Sequence, residues 1–521
     1  MNLGSTPPQA HAHSASPSAA TQHAYAAQFL AAASASGSGH AKFLQPRQRT
    51  ATASAVDAKP LPAFPCEKSA IDRIFQQQIA TGRERAFAVN DLGVVERQHS
   101  RWVRQLPSVR PFYAVKCNPD PTLCRVLAGL GTGFDCASGE EMALVLNMGV
   151  SPADVIFANP IKNARDLKYA REQGVKKMTF DNEAELYKIK EAFPEAELVL
   201  RLLADDSGSK MKFGVKFGAP GVHVEPLLKT AKALGLKVIG TSFHIGSGCF
   251  DAQSYRKAIA LSRGVYDTAL KLGLPRFTLM DIGGGFPGNP VENERNGDVP
   301  AFEEMAEVIR DASAEHFPKE LGVEIIGEPG RYMATAWSTL FVLVQGKREE
   351  PRPVDADASA KRRFLYYIND GVYGSFNSIM FDHAKPEPIP AYRFMAEKVS
   401  LDRRHAAQRE TYRPYVAAAA ATPTMSMLNM GAAESPMLQS ARAFHTTFGR
   451  DASCEGTFFG PTCDSMDVVA TNFPVEELFV GDWLAFAQSG AYTSAAATTF
   501  NGMPKATAHY CRSRQPSPNA A

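Results

Sequence analysis

The chain has 521 residues, with 56 Lys and Arg against 54 Asp and Glu, a formal net charge of +2. So even a balance gives no electrostatic case for nucleic acid, and no apolar stretch is long enough to span a bilayer. The length accommodates two domains with substantial tails, and the eight cysteines are scattered without zinc-like spacing, which points to reduced thiols and no metal site.

Residues 1–60 are rich in Ala, Ser, Gln and His, with no acidic residue before Asp57. That composition resembles an organellar transit peptide, yet arginines are few and no amphipathic period is present. The stretch reads as a disordered or targeting tail, and a cytoplasmic location is expected with plastid or mitochondrial import left open. Residues 61–91 are assigned as an N-terminal segment of a β-domain.

The first strong element is PFYAVKCN. Phe112 to Val115 read as a buried strand that Asn118-Pro119 stops, with Lys116 at its end. A lysine there is expected to be desolvated, to lose its proton at modest cost and, as a neutral amine, to condense with an aldehyde. A snorkelling lysine at a strand end is the alternative. Seven further strand-like runs follow: TGFDCAS with Asp135, VIFANP with Asn159, KKMTFD with Asp181, ELVLRLLA with Arg201, GTSFHIGSG with His244 and Ser247, FTLMDIGGG with Gly283 to Gly285, and VEIIGEPGR with Glu328 and Arg331. Amphipathic helical patterns lie between them, among them Glu140 to Asn147, Ala164 to Glu172, Asn182 to Ala192, Ala252 to Lys271 and Ala301 to His316. Eight alternations predict an α/β fold, a closed TIM-like (β/α)8 barrel over residues 92–334 whose catalytic residues gather at the carboxyl ends of the strands.

Gly283, Gly285 and Gly288 match the spacing of a dinucleotide loop, but Pro287, Pro290 and a polar stretch to Pro300 follow, so no helix starts where a pyrophosphate would need one. Consecutive glycines after a strand suit a backbone nest for a single phosphate, with Ser247 adding a hydroxyl and Arg331 a planar cationic fork. An aldehyde-binding lysine, a phosphate nest and a carboxylate on a late strand describe a site for pyridoxal phosphate. Glu328 would hold the pyridine nitrogen protonated and His244 would stack on the ring, although a lone histidine can equally be a core residue.

Beyond the barrel, residues 335–505 read as a mainly β domain with strands around Trp337 to Gln345, Phe364 to Asn369, Asp467 to Ala470 and Trp483 to Gln488. Unpatterned insertions near 349–362 and 387–454 read as surface loops of that domain, and residues 506–521 as a short tail. The basic run Lys162, Arg165, Lys168, Arg171, Lys176 and Lys177 reads as a solvated helix face.

PFYAVKCN, GFDCAS, FANPIK, FHIGSGC, DIGGGFPG, GEPGRY, YYINDGVYGSFN, GPTCDSMD and SGAYT together resemble the eukaryotic ornithine decarboxylases of the alanine-racemase-like pyridoxal phosphate family. The resemblance implies a barrel followed by a β-domain, a homodimer with active sites shared across the interface, and conversion of L-ornithine to putrescine and carbon dioxide in polyamine biosynthesis. It implies that Lys116 holds the cofactor's aldehyde and that Ser247, Gly284, Glu328, Pro329, Gly330, Arg331 and Tyr492 contact the cofactor. Asp135 and Arg201 then support it and His244 stacks on it, while Phe381, Asp382 and Asp464 face substrate and Cys463 donates a proton. Phe381 departs from the tyrosine frequent in the family, so a backbone contact there survives and a hydroxyl contact does not. The short tail lacks the extended degradation region of animal homologues, and rapid proteasomal turnover by that route is not expected.

The chemistry of the residues agrees. A diamino acid joined through one amine leaves a distal ammonium that needs carboxylate partners, which Asp382 and Asp464 supply. Either could instead be a turn or capping residue. A thiol such as Cys463 can protonate the α carbon once carbon dioxide has left. Lysine or arginine as substrate stays open, since carboxylates bind any distal cation. So does a non-catalytic regulator like the antizyme inhibitors, which would bind an antizyme-like protein partner.

Overall fold

The structure, a computed structural model, describes residues 65–66, 69–351, 361–391 and 454–513. The tail read over residues 1–60, nearly all of the 387–454 insertion, most of the 349–362 insertion and residues 514–521 lie outside the described residues.

All eight strand-like runs of the barrel are strands. They are β1 (Val109–Ala114), β2 (Gly133–Cys136), β3 (Val155–Phe157), β4 (Lys177–Phe180), β5 (Glu197–Arg201), β6 (Lys237–Ser242), β7 (Leu279–Asp281) and β8 (Glu324–Gly327). They run parallel in that order, and β8 closes on β1 with Ile326 opposite Arg110. Phe112, Ile156, Val199, Ile239, Leu279 and Ile326 fill the interior, so the barrel is a packed core and not a channel. Gly133 is required there, since a Cβ on it would come within 2.7 Å of the Phe112 ring.

Side-chain caps start several of the helices immediately after their strands. Asp120 caps Pro121–Gly129, Ser138 caps Gly139–Leu146, Asn163 caps Ala164–Gln173 and Asn182 caps Glu183–Ala192. Each cap satisfies N–H groups that a helix leaves unpaired, which pins the loops at the active end of the barrel. After β7 the next helix is Phe302–His316, so the glycine run opens onto a loop. Two side chains named from sequence only hold loops: Asp181 accepts from the N–H of Gly218 at 2.9 Å and Asn159 from that of Ile161 at 3.2 Å.

The basic run is not one solvated face. Arg165, Lys168 and Arg171 are exposed ion-pair partners, but the Lys162 side chain is fully buried, 2.8 Å from Glu185 and donating to Thr179 O at 2.6 Å. Its partner lies 23 residues away on the next helix, beyond the reach of helical periodicity.

The second region is a nine-stranded sheet. Its main path runs Pro65–Cys66, Thr507–Ser513, Phe87–Asp91, Ser338–Glu349, Arg362–Ile368, Cys454–Phe459 and Val468–Val475. Trp483–Phe486 also pairs with Ser338–Glu349 and carries Ile389–Pro390 on its other edge. The 12-residue strand Ser338–Glu349 can serve three partners because its register shifts between Val344 and Gly346. Thr507–Ser513, read from sequence as tail, is a strand in parallel pairing with Phe87–Asp91.

Candidate active site

Lys116 sits in the short 3-10 turn Val115–Cys117, where β1 ends. Its Nζ lies 2.7 Å from Asp135 Oδ2 at the end of β2; the lysine side chain is 43% exposed and the aspartate fully covered. A ligand entering the barrel mouth can therefore reach the amine but not its counter-ion. Burial opposes a charge on Lys116, but Asp135, and after it Glu328, outweigh that and hold the ammonium above its ordinary value. This corrects the expectation that the amine loses its proton at modest cost: the carboxylates at neighbouring strand ends decide, and they favour the charged form.

His244 follows β6. Burial first, then the charges of Arg201 and Lys116, push its imidazole well below the ordinary value, so the ring is neutral. Its Nδ1 accepts from the Gly246 N–H at 3.0 Å, which leaves the ring proton on Nε2. Phe213 packs edge-on against it with centroids 4.9 Å apart. Arg201 stacks on Phe217 at 5.3 Å and adds positive charge behind His244.

The glycine run lies directly against His244, at the end of the adjacent strand. Gly283 has φ +65°, and a Cβ there would fall 2.1 Å from Phe243 O; on Gly284 it would lie 2.8 Å from Glu328 O and 3.0 Å from His244 Nε2. Only bare backbone fits between His244 and β8. Tyr255 holds this wall from behind by donating to Gly284 O at 2.9 Å. Glu328, just past β8, donates its N–H to Gly283 O at 2.7 Å. Burial first, then Asp135 and Asp281, raise its carboxyl well above the ordinary range.

Pro329 and Gly330 lead into the short helix Arg331–Ala334. Arg331 donates to Ser247 Oγ through Nε and Nη2 at 3.3 Å each and grips both oxygens of Asp382 at 2.6 Å. The guanidinium also lies 5.1 Å from the Tyr492 ring centroid. Tyr492 reaches this place from the β-domain with a strained φ of +53°, fixed by its N–H donating to Cys117 O at 2.9 Å. Asn118 donates to Gly490 O at 2.8 Å, a second tie between the barrel and the β-domain beside Lys116.

The remaining sequence-derived residues are elsewhere in the contact network. Phe381 is 66% exposed next to Asp382, on the helix Ser378–Asp382. Cys463 is exposed, its N–H donating to Asn501 Oδ1 at 3.0 Å. Asp464 accepts from the Met466 N–H at 3.0 Å and from the Tyr373 hydroxyl, and these hold its carboxyl below the ordinary value. No hydrogen bond or ion pair of Cys463 or Asp464 reaches the Lys116 cluster among the described residues. Below the loop, buried Asp467 accepts from Val372 N–H at 2.8 Å, Thr462 N–H at 3.0 Å and Thr462 Oγ1 at 2.6 Å.

Sequence reasoning missed Asp281, Tyr255 and Asp467. Asp281 opens the DIGGG run and is fully buried, a signal that reading the run for its glycines passes over.

The barrel mouth fits pyridoxal phosphate on the chemistry of its own donors. A reachable amine suits the aldehyde, the Ser247–Arg331 fork and the glycine wall suit a phosphate, and the buried Glu328 carboxyl suits a ring nitrogen. Asp135 Oδ1 and Asp281 Oδ2 are buried with no donor, as in a cluster arranged around cationic groups.

Comparison with known proteins points the same way. Residues 92–335 match the pyridoxal binding domain of the pyridoxal-dependent decarboxylases, and residues 399–490 match the C-terminal sheet domain of that family. The chain is 40% identical to antizyme inhibitor 2 of Xenopus laevis, covering 85% of each chain. It is 42% identical to a probable ornithine decarboxylase of Dictyostelium discoideum, covering 82% of this chain and 80% of the relative. Among solved structures, the arginine decarboxylase of Paramecium bursaria Chlorella virus superposes with a TM-score of 0.68 at 30% identity, over 85% of this chain and all of that one.

Proposed function

The chain belongs to the pyridoxal-dependent decarboxylase family, and within it we propose an L-ornithine decarboxylase that releases carbon dioxide and putrescine. Its cofactor is pyridoxal 5′-phosphate. The observation that carries the reading is the reachable Lys116 amine set against Asp135 in the mouth that also holds Glu328 and the Arg331–Ser247 fork. Lys116 would hold the aldehyde, Arg331, Ser247 and Gly284 the phosphate, Glu328 the ring nitrogen and His244 a ring face. Pro329, Gly330 and Tyr492 complete the contacts, with Asp135 and Arg201 behind them. When bound, the cofactor supplies an electron sink for the pair released as carbon dioxide leaves.

The chain's own residues do the rest. Neutral His244 covers the ring without adding charge. Asp464, half-buried and held below its ordinary value, is the readier partner for the distal ammonium, because Asp382 already shares its charge with Arg331. Phe381 borders the substrate, and Cys463 Sγ delivers a proton to the α carbon. Since among the described residues Cys463 and Asp464 make no polar contact with the Lys116 cluster of their own chain, we favour a C2 homodimer in which one subunit's loop completes its partner's mouth. Balanced charge and scattered thiols support a cytoplasmic enzyme.

The assay is decarboxylation of L-ornithine, L-lysine and L-arginine side by side with pyridoxal phosphate, reading carbon dioxide and the amine product. Putrescine from ornithine at the highest kcat/KM is expected; equal or better turnover of lysine or arginine overturns the substrate assignment. The likeness to antizyme inhibitor 2 favours a second reading, a regulator that binds an antizyme-like partner without turnover. That reading wins if none of the three amino acids releases carbon dioxide. Retention of Lys116, Cys463 and the Arg331–Ser247 fork counts against it.

A further inference from the structure

Arg331 uses the edges of its guanidinium unequally. Nη1 and Nη2 donate to Asp382 Oδ2 and Oδ1 at 2.6 Å each, whereas Nε and Nη2 share a single acceptor, Ser247 Oγ, at 3.3 Å each. One edge is held by a short parallel pair of charge-assisted bonds, and the other is engaged only weakly and can still take an anion. The Tyr492 ring, 5.1 Å from the guanidinium, attracts the cation without fixing how the planar fork is turned. That angle is set by Asp382. The aspartate is itself fixed in place: it ends the helix Ser378–Asp382, which His383 stops with φ +51°. At the start of that helix buried Asn377 donates to Gly374 O at 2.6 Å and to the carbonyl of Thr493, the neighbour of Tyr492. The β-domain thus brings two linked side chains, Asp382 and Tyr492, to an arginine at the barrel mouth.

We propose that Asp382 is a positioning residue for anion binding: it turns Arg331 so that the Nε–Nη2 edge and Ser247 together present donors to a phosphate monoester. The proposal rests on the reading above that Arg331 and Ser247 take the cofactor's phosphate, and it gives Asp382 a role separate from contact with substrate. A carboxylate beside the fork also cancels part of its charge, which by itself weakens attraction for an anion. Orientation outweighs that loss. Only 23% of the Arg331 side chain is exposed, so without Asp382 a largely covered cation would keep only its two 3.3 Å contacts to Ser247. A fork free to turn must be ordered by the incoming anion, at a cost in affinity.

The test compares pyridoxal phosphate with pyridoxal, which lacks the phosphate, by equilibrium dialysis against the full-length protein. Asp382→Asn should lower the ratio of the two affinities roughly tenfold, the loss of about one charge-assisted bond, and leave pyridoxal binding unchanged. A merely structural role would weaken both ligands alike and leave the ratio where it was. Inorganic phosphate, which has no aldehyde for Lys116, should compete with pyridoxal phosphate roughly tenfold less well in the variant. Asp382→Glu keeps the charge but displaces the carboxylate by one methylene, and the ratio should fall in the same direction by less. An unchanged or increased ratio in either variant overturns the proposal, so failure of Asp382→Asn to fold does not protect it. Arg331→Lys keeps the charge and removes the fork; it should lower the ratio, and Asp382→Asn should add nothing further in that background. If Arg331→Lys lowers the ratio and Asp382→Asn does not, the phosphate reading stands and the positioning role falls. If Arg331→Lys leaves the ratio native, the phosphate reading itself fails.

Discussion

At the barrel mouth, polar side chains meet partners within the same chain: Lys116 meets Asp135 at the neighbouring strand end, and Arg331 meets Ser247 and Asp382. The Cys463–Asp464 loop is the reverse. It is held from beneath by Asp467; its thiol is exposed, and its half-buried Asp464 carboxylate accepts from the Tyr373 hydroxyl and the Met466 N–H of the same chain. One region is organised within a single chain, and the other is organised to be presented. On the proposed reading, the contrast separates holding a cofactor, which the mouth of one chain suits, from substrate turnover, for which a second copy is proposed.

The sharpest way to break this comparison is to cripple each region in a different subunit. Lys116→Ala and Cys463→Ala homodimers should each be nearly inactive. Mixed under exchange, half of the dimers carry one intact and one doubly damaged site, so activity should return to about a quarter of native. Confirmed heterodimers without recovery would put both residues to work in one chain. A smaller effect is expected from Asp464→Ala, which should raise KM for ornithine by roughly tens-fold while cofactor affinity stays native. Near-native kinetics would make Asp464 an ordinary turn residue.

Beneath the loop, Asp467→Asn loses acceptor capacity for buried donors and should cost about 1–3 kcal/mol in urea unfolding. Activity should fall while pyridoxal phosphate still binds; weakened cofactor binding would mean the two regions are not separable. The smallest effect concerns the mouth itself. Glu328 has its folded pKa raised above its unfolded value of about 4.3, so across that window the folded state holds more protons and stability falls as pH rises. Glu328→Gln removes this penalty, and the cofactor-free variant should melt about 2–4 °C higher than native at pH 8, with the difference gone near pH 4.

The barrel was legible because eight short apolar runs each end in a polar or glycine residue, a pattern that survives without knowing any long-range contact. Lys116, Glu328 and Arg331 were legible for the same reason: each sits at such an end. The charge state of Lys116 was not, because Asp135 and Glu328 come from other strands and their distances are set by closure of the barrel. Lys162 was misread because Glu185 reaches it from the following helix. Asp281 was hidden by the glycines that follow it, whose backbone role was easier to see than the carboxylate's.

The strand Thr507–Ser513 has a consequence for how the molecule comes into being. It lies between Pro65–Cys66 and Phe87–Asp91, hydrogen-bonded to both, although more than 400 residues separate it from either. Vectorial synthesis therefore delivers two segments of this sheet more than 400 residues before the strand that fills the slot between them. The barrel is complete in sequence by Gly327 and can close while the β-domain still waits. A stop after Met503 would remove that strand and leave both early strands with an uncovered edge, the kind of edge on which chains associate wrongly.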